Sequence, residues 1–260
     1  MQFNNERHRL LTSIIIPVNN EQNSISSVVY RVKESLSEYS YEVIVVDDGS
    51  IDGTKEEASR TGAIVISHSQ NMGKGSAMRT GVEQSEGSII VFIDGDGAHN
   101  PEDIPCVIEP IIQGKADLVI GSRLLHGSKV PTAPLRRKLS NIVASVIISA
   151  IISFILPLVT LFRYTIRRRQ ITDCTSGFRA ITREGWYGLG LKSGGFQVEV
   201  EMIYEAVKKE LRITEVPISC NWNSQNSHLS IIRDGLRTVK LLSAKLYDDI
   251  RRKKGLEGET

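Results

Sequence analysis

Short apolar runs alternate with stretches of helical spacing through the first half of the chain, and this alternation limits the fold more than any other feature. Residues 13–18, 42–46, 63–67, 88–93 and 117–120 are runs rich in β-branched side chains, of the kind buried on both faces of a mostly parallel sheet. Between them, residues 24–36, 54–60, 74–86 and 101–113 have helical spacing, and Asn100 followed by Pro101 predicts a capped helix start. Strand and helix in alternation predict an α/β fold, a Rossmann-like, mostly parallel sheet with helices on both faces. No repeat of fixed period interrupts it.

In such sheets ligands gather beyond the C-terminal ends of the strands. Four successive ends are polar here: Pro17-Val18-Asn19-Asn20-Glu21, Asp47-Asp48-Gly49-Ser50, Asn71-Met72-Gly73-Lys74-Gly75 and Asp94-Gly95-Asp96-Gly97. Any one of them is ordinary turn chemistry. All four together predict a single polar crevice. Asp94 and Asp96 offer hard oxygen ligands suited to Mg²⁺ or Mn²⁺ shared with phosphates, and the glycine between them lets a diphosphate approach the backbone. A metal there would neutralise charge developing on a departing nucleoside diphosphate. Lys74 between Gly73 and Gly75 does not complete a Walker phosphate loop, because His68 stands where that loop needs Gly and Gly75 where it needs Ser or Thr. The five histidines show no zinc-ligand spacing, and no Gly-x-Ser-x-Gly elbow occurs.

The net charge of +2 hides an asymmetry. Residues 1–110 carry 8 basic and 17 acidic side chains, a balance of −9; residues 111–260 carry 24 and 13, a balance of +11. The basic half suits phosphate, nucleic acid or an anionic membrane surface. With 6% aromatic residues and no reader motif, nucleic acid is the poorest match. Three cysteines without paired spacing argue against a disulfide framework and for a reducing compartment. The polar segment 1–11 lacks a secretory signal pattern, which predicts a cytoplasmic location.

After residue 139 the pattern changes. Residues 141–162 contain no ionisable side chain, and at about 1.5 Å per residue they match a hydrocarbon core of roughly 30 Å. Pro157 interrupts the segment, and basic residues flank it on both sides: Arg136, Arg137 and Lys138 before, Arg163 and Arg167 to Arg169 after. Basic flanks on both sides predict a re-entrant hairpin or interfacial helix pair more economically than a single span, with a buried core helix as the alternative. Further on, residues 198–209 read as a helix, 212–218 as a strand, 221–230 as a polar loop, and 231–254 as an amphipathic helix with a basic end suited to an anionic membrane surface.

The motifs together resemble a known family. Residues 13–21, Val45-Val46-Asp47-Asp48-Gly49-Ser50 with Asp52-Gly53-Thr54, residues 71–79, Asp94-Gly95-Asp96, Gly121-Ser122-Arg123 and Thr175-Ser176-Gly177-Phe178-Arg179-Ala180 look like family 2 glycosyltransferases, and within them the dolichyl-phosphate mannose or glucose synthases. The resemblance spans roughly residues 12–217 and implies a GT-A type fold. It implies that Pro17, Asn19, Glu21, Val46, Asp48 and Lys74 help hold the donor nucleotide sugar, with Asp48 and Glu21 accepting hydrogen bonds from base and ribose. Asp94 and Asp96 would hold the metal and Gly95 would lie against the diphosphate. Arg123 and Arg137, with Ser140 and Asn141, would take the acceptor phosphate, and Asp94, Asp96, Arg123 and Arg137 form the implied catalytic set.

Four departures from the family pattern stand out: Asn19 where Tyr is usual, Ala98 where a further Gln ligand is usual, Gln197 where mannose synthases often have Lys, and a 221–230 loop without basic residues. The donor is therefore not narrowed to GDP-mannose, and UDP-sugars stay open. The implied organisation is an N-terminal extension (1–11), a nucleotide-sugar- and metal-binding half (12–133), a membrane-associated insertion (134–170), an acceptor-side completion (171–230) and a basic C-terminal helix (231–260).

A chemical argument favours a phosphate acceptor independently. Transfer with inversion to an alcohol needs a general base. A phosphate monoester, with a second pKa about 6, is already largely dianionic at neutral pH. It needs positive charge to position it, and Arg123, Arg136, Arg137 and Lys138 precede the lipid-compatible segment. The expectation is a metal-dependent inverting transferase acting on dolichyl or another polyprenyl phosphate at the cytoplasmic membrane face. The alternatives are a soluble transferase using a hydroxyl acceptor and a non-catalytic membrane adaptor with a degenerate nucleotide pocket.

Overall fold

The computed structural model describes residues 10–129, 171–221 and 231–253. Seven strands form one sheet: β1 (Thr12–Val18), β2 (Tyr41–Asp47), β3 (Ile64–Ser67), β4 (Ile89–Phe92), β5 (Leu118–Ser122), β6 (Arg179–Thr182) and β7 (Ile213–Pro217), in the order β3-β2-β1-β4-β6-β5-β7. All neighbours are parallel except β6, which runs antiparallel to both β4 and β5. The helices are α1 (Ile25–Ser35), α2 (Thr54–Arg60), α3 (Lys74–Glu83), α4 (Ile104–Ile112), α5 (Arg183–Leu189), α6 (Val198–Lys208) and α7 (Ile231–Lys253). The predicted α/β class and every predicted strand among the described residues are present. Strand β6 and helix α5 were not predicted.

Strand side chains alternate between two cores, as the pleat requires. Ile14, Ile16, Val43, Val45, Val91 and Ile93 point into one, with Val28, Val29 and Ile108 of α1 and α4. Ile15, Ile44, Val46, Ile90 and Phe92 point into the other, with Met78, Trp186, Ile203 and Leu242 of α3, α5, α6 and α7. The β-branched runs are uniformly apolar because both faces are covered.

The start of α4 differs in detail from its expectation. A single 3₁₀ turn, Pro101–Asp103, leads into it, and the Asn100 side chain does not cap the helix. Its Oδ1 accepts instead from Arg31 Nη2 at 3.2 Å, in a cluster with the Arg31–Glu102 ion pair. Tertiary contact has outcompeted the local cap.

Parallel registers bring Val18 beside Asp47 and Asp47 beside Ser67, so the polar ends of β1, β2 and β3 leave the sheet on the same edge as the end of β4. Between β1 and β4 the chain order reverses direction across the sheet, a position where α/β folds open a ligand crevice. Among the described residues no helix is long and apolar enough to cross a membrane. The apolar segment 141–162, its basic flanks, and the acceptor-side residues Arg137, Ser140 and Asn141 lie outside the described residues, as does most of the 221–230 loop.

Candidate active site

At the end of β4, Asp94 and Asp96 project with Gly95 between them. Gly95 is a glycine for a packing reason: a Cβ there would sit 2.3 Å from Val18 Cγ1, so its bare face is turned to β1. The need for glycine here thus has a packing cause in addition to the expected approach of a diphosphate. The Gly95 carbonyl accepts from Ser24 Oγ at 2.7 Å, and the same hydroxyl donates to Glu21 Oε2 at 3.0 Å, which ties the start of α1 to the acidic turn.

Lys74, the first residue of α3, reaches into this turn. Its Nζ lies 2.5 Å from Asp94 Oδ1 and 2.7 Å from Glu199 Oε1, with the Phe196 ring centroid 5.5 Å away. Burial alone would lower its pKa, but the two carboxylates outweigh burial and hold the ammonium charged. Burial likewise pushes Asp94 up, while Lys74 and His99 pull it well below the usual carboxylate range. His99 Nε2 is 3.6 Å from Asp94 Oδ2. Gly177 of the Thr175–Phe178 motif lies against this group so closely that a Cβ there would be 2.6 Å from both Asp94 Oδ2 and Lys74 Nζ.

The remaining acids are under electrostatic stress. Burial and the neighbouring Asp94 raise the pKa of Asp96, whose Oδ1 accepts one bond from the Ala98 N–H at 2.9 Å. Glu21 is pushed up to about 7, mainly by burial and further by Asp96, Asp94 and Asp52. Lys74 thus pairs with Asp94 and Glu199, while Glu21 and Asp96 add further carboxylates beside Asp94. Hard oxygens crowded beyond their cationic partners fit a divalent ion chemically, with Asp94 and Asp96 as the residues to hold it. Among the described residues no third acidic, His or Cys ligand completes a cluster.

The raised Glu21 pKa has a testable sign. In the folded protein the group ionises near pH 7, and in the unfolded chain near the ordinary carboxylate value, so ionisation opposes folding increasingly from about pH 4.5 to 7 and constantly above. Glu21→Gln is therefore expected to melt higher than the wild type at pH 8 in nucleotide- and metal-free buffer. At pH 4 the two should melt alike. Equal melting temperatures at pH 8 would show that the carboxylate is not stressed.

Asp48 is almost wholly engaged by the protein. Its Oδ1 takes the Met72 N–H (2.8 Å) and lies 2.7 Å from His68 Nδ1, and its Oδ2 takes the Gly73 N–H (2.7 Å). Four lone pairs minus these three contacts leave one for a ligand. His68, just past β3, is itself braced by α3, where its Nε2 meets Thr80 Oγ1 at 3.0 Å. Asn19 donates to the Asp48 carbonyl at 2.8 Å, and Asn20, held at φ +59°, donates its backbone N–H to Ser50 Oγ and accepts from the Ile51 N–H. Val46 is fully buried in the second core. Val46 is among the residues expected to hold the nucleoside, and its side chain packs in the core beneath that turn. Pro17 pairs with Val46 in the β1–β2 register.

Arg123, past the end of β5, grips Asp173 through Nε (2.7 Å) and Nη2 (2.8 Å) and also donates to Thr175 Oγ1 (3.0 Å). Despite burial, Arg123 holds the Asp173 carboxyl down to about 2. Glu215 of β7 accepts from the backbone N–H groups of both Thr172 and Asp173, fixing this loop from below. The three cysteines are free thiols; burial pushes Cys174 and Cys220 up to about 12 and about 11, which removes both as nucleophiles at neutral pH.

The structure thus brings together Glu21, Asp48, Lys74, Asp94 and Asp96 at one edge of the sheet. Glu199, His68, His99 and Asp173 were not singled out from sequence. Glu199 was hidden in an amphipathic helix, and the other three lie within or beside recognised motifs, where a charged partner for Lys74, Asp48 or Arg123 had been the missing signal.

Residues 13–187 match the family model for glycosyl transferase family 2. The chain belongs to glycosyltransferase family 2. A "UDP-N-acetylglucosamine--dolichyl-phosphate N-acetylglucosaminyltransferase" of Methanococcus voltae is 31% identical to this family 2 chain over 231 residues, covering 80% of it and 84% of the relative. A "dolichol-phosphate mannosyltransferase" of Pyrococcus furiosus is 34% identical over 211 residues, 80% of this chain but 55% of the relative, so this chain spans about half of that longer protein. Among solved structures, glucosyl-3-phosphoglycerate synthase of Mycobacterium tuberculosis in complex with Mn²⁺ and UDP-glucose aligns with TM-score 0.68 at 22% identity, over 94% of this chain and 82% of that one. At that identity the likeness shows the shared fold. Family membership makes the protein a glycosyltransferase and sets aside the non-catalytic adaptor.

Proposed function

We propose that this enzyme transfers a single sugar, with inversion, from a nucleotide sugar to a polyprenyl phosphate of the dolichyl type at the cytoplasmic membrane face. The observation that carries the reading is the crowd of carboxylates around Lys74 at the β1–β4 switch point, built to work with a cation and a diphosphate. The two relatives named for transfer to dolichyl phosphate support the acceptor. UDP-sugars and GDP-mannose both remain compatible donors.

In this reading Asp94 and Asp96 hold Mg²⁺ or Mn²⁺. The bound ion supplies positive charge to the diphosphate as it departs. Glu21, Asn19 and the free lone pair of Asp48 bind the nucleoside. Lys74 keeps Asp94 ionised and in place. An acceptor phosphate oxygen attacks the anomeric carbon as the bond to the nucleoside diphosphate breaks, and no base is needed because the phosphate is already ionised. Arg123 and Arg137, with Ser140 and Asn141, orient that phosphate. Asp173 fixes the plane of the Arg123 fork at the end of β5.

The test is a panel of radiolabelled UDP-glucose, UDP-N-acetylglucosamine and GDP-mannose with a short-chain polyprenyl phosphate in neutral detergent. One donor is expected to give a lipid-linked, alkali-stable or acid-labile monosaccharide, and a chelator should stop the transfer. Transfer to free saccharides, with none to lipid from any donor, would overturn the acceptor assignment. In the same assay Arg137→Gln is expected to weaken acceptor use about 10- to 150-fold, the worth of one charge-assisted hydrogen bond, with donor affinity little changed. Equal loss of both would overturn its role.

A further inference from the structure

Lys74 is held by more than its two carboxylates. Gly73 and Gly75 on either side of it seat α3 directly on the loop that precedes α6. A Cβ on Gly73 would lie 2.5 Å from the Gly194 carbonyl oxygen, and one on Gly75 would lie 2.2 Å from that of Ser193. The Ser76 N–H donates to Gly194 O at 3.2 Å, and Arg79 Nη1 donates to Ser193 O at 2.7 Å. The position of Lys74 is therefore only as well defined as that of residues 192–195.

That loop is pinned from beneath by one carboxylate. Glu201 of α6 is fully buried, and its oxygens accept the N–H groups of Lys192 (3.2 Å) and Ser193 (2.7 Å). The third partner comes from a different element: Lys245 Nζ of α7 lies 2.9 Å from Glu201 Oε1 and 2.5 Å from Glu205 Oε1. Lys245 and Ser193 hold Glu201 ionised against burial. An apolar residue of similar size would pack at this position without the desolvation cost of a charge. What it would not do is fix two backbone N–H groups and a helix to one point.

We propose that Glu201 and Lys245 are positioning residues for Lys74, joining the C-terminal helix to the Asp94 corner through residues 192–195. This rests on the reading of Asp94 as a donor-site carboxylate. Loosening the pair releases the seat of α3, so Lys74 no longer meets Asp94 and Glu199 together.

The test compares Glu201→Gln, Lys245→Met and Lys245→Arg with Arg183→Met. Arg183 donates to Gly87 O and Ser85 Oγ at the opposite end of the sheet, so its loss costs stability without touching the loop. Amide hydrogen exchange over residues 72–79 is expected to quicken about tenfold or more in Glu201→Gln and Lys245→Met, and to stay near wild type in Lys245→Arg and Arg183→Met. The kcat/KM for the donor should fall about 10- to 100-fold in Glu201→Gln, and stay within about twofold in Arg183→Met at equal loss of melting temperature. Unchanged exchange over 72–79 would overturn the proposal, and so would equal activity loss in Glu201→Gln and Arg183→Met. Should the wild type transfer sugar to no acceptor, the proposed function fails while this linkage is still decided, by the exchange data and by the affinity for UDP with Mn²⁺, expected about tenfold weaker in Glu201→Gln.

Discussion

Asp94→Asn and Asp96→Asn are expected to lose sugar transfer by at least roughly a hundredfold, the scale of removing one preorganised charge contact to a departing group, and yet to shift stability in opposite directions. Asp96 has a folded-state pKa raised by burial and by Asp94, so its ionisation opposes folding above the unfolded carboxylate value. Its Asn variant should melt higher than the wild type at pH 8 in chelator and like it at pH 3. Asp94 is the reverse case. Lys74 and His99 overcome burial and depress its pKa, so it contributes stability above the unfolded value, lost as pH falls through the depressed one. Asp94→Asn should therefore melt lower at pH 7. Parallel thermal melts and transfer assays check both, and near-normal turnover of either variant in excess chelator would overturn the metal role. Opposite stability shifts with a common loss of activity distinguish a working site from a merely structural acidic turn.

Arg179→Lys is expected to cost the largest stability of any substitution near the site. Arg179 is fully buried, and its guanidinium donates to the carbonyls of Ser176 (Nε, 2.8 Å), Cys174 (Nη2, 2.8 Å) and Glu199 (Nη1). One planar fork thus ties the Thr175–Phe178 turn to the first turn of α6, the two segments that press Gly177 and Glu199 onto Lys74. An ammonium on a shorter reach cannot serve three carbonyls in that geometry. Breaking a buried charged network costs about 3–5 kcal/mol, which at about 2–4 °C per kcal/mol for a chain of this size lowers the melting temperature by roughly 6–20 °C. Activity should fall beyond what the lost stability explains, because Glu199 shifts with the turn. A variant melting within about 2 °C of wild type would show that the three carbonyls find other donors.

How much of this was legible in the sequence differs by element. The β-branched runs read correctly as doubly buried strands because their apolar character is continuous, a signal that needs no knowledge of partners. Strand β6 was missed for the opposite reason. Its four residues begin with Arg179, whose buried place is made by carbonyls of two other segments, and its antiparallel seat between β4 and β5 depends on chain that returns from residues far away in sequence. Asn100 illustrates the same limit on a smaller scale, since a side chain suited to a local cap was taken by Arg31 from another helix.

The sequence by itself determined the α/β class, the strand ends that carry polar turns, and the acidic pair Asp94 and Asp96, because hydrophobic period and turn chemistry are local and survive without a fold. Only the tertiary structure decided that Gly95 serves Val18, that Val46 is core, that Asp48 has one lone pair left to offer, and that Lys74 is shared by Asp94 and Glu199, 125 residues apart in the case of Lys74 and Glu199. Charge partners across such separations leave no mark in spacing. They exist only where packing brings them within a few ångströms and burial makes each ionised group depend on the other.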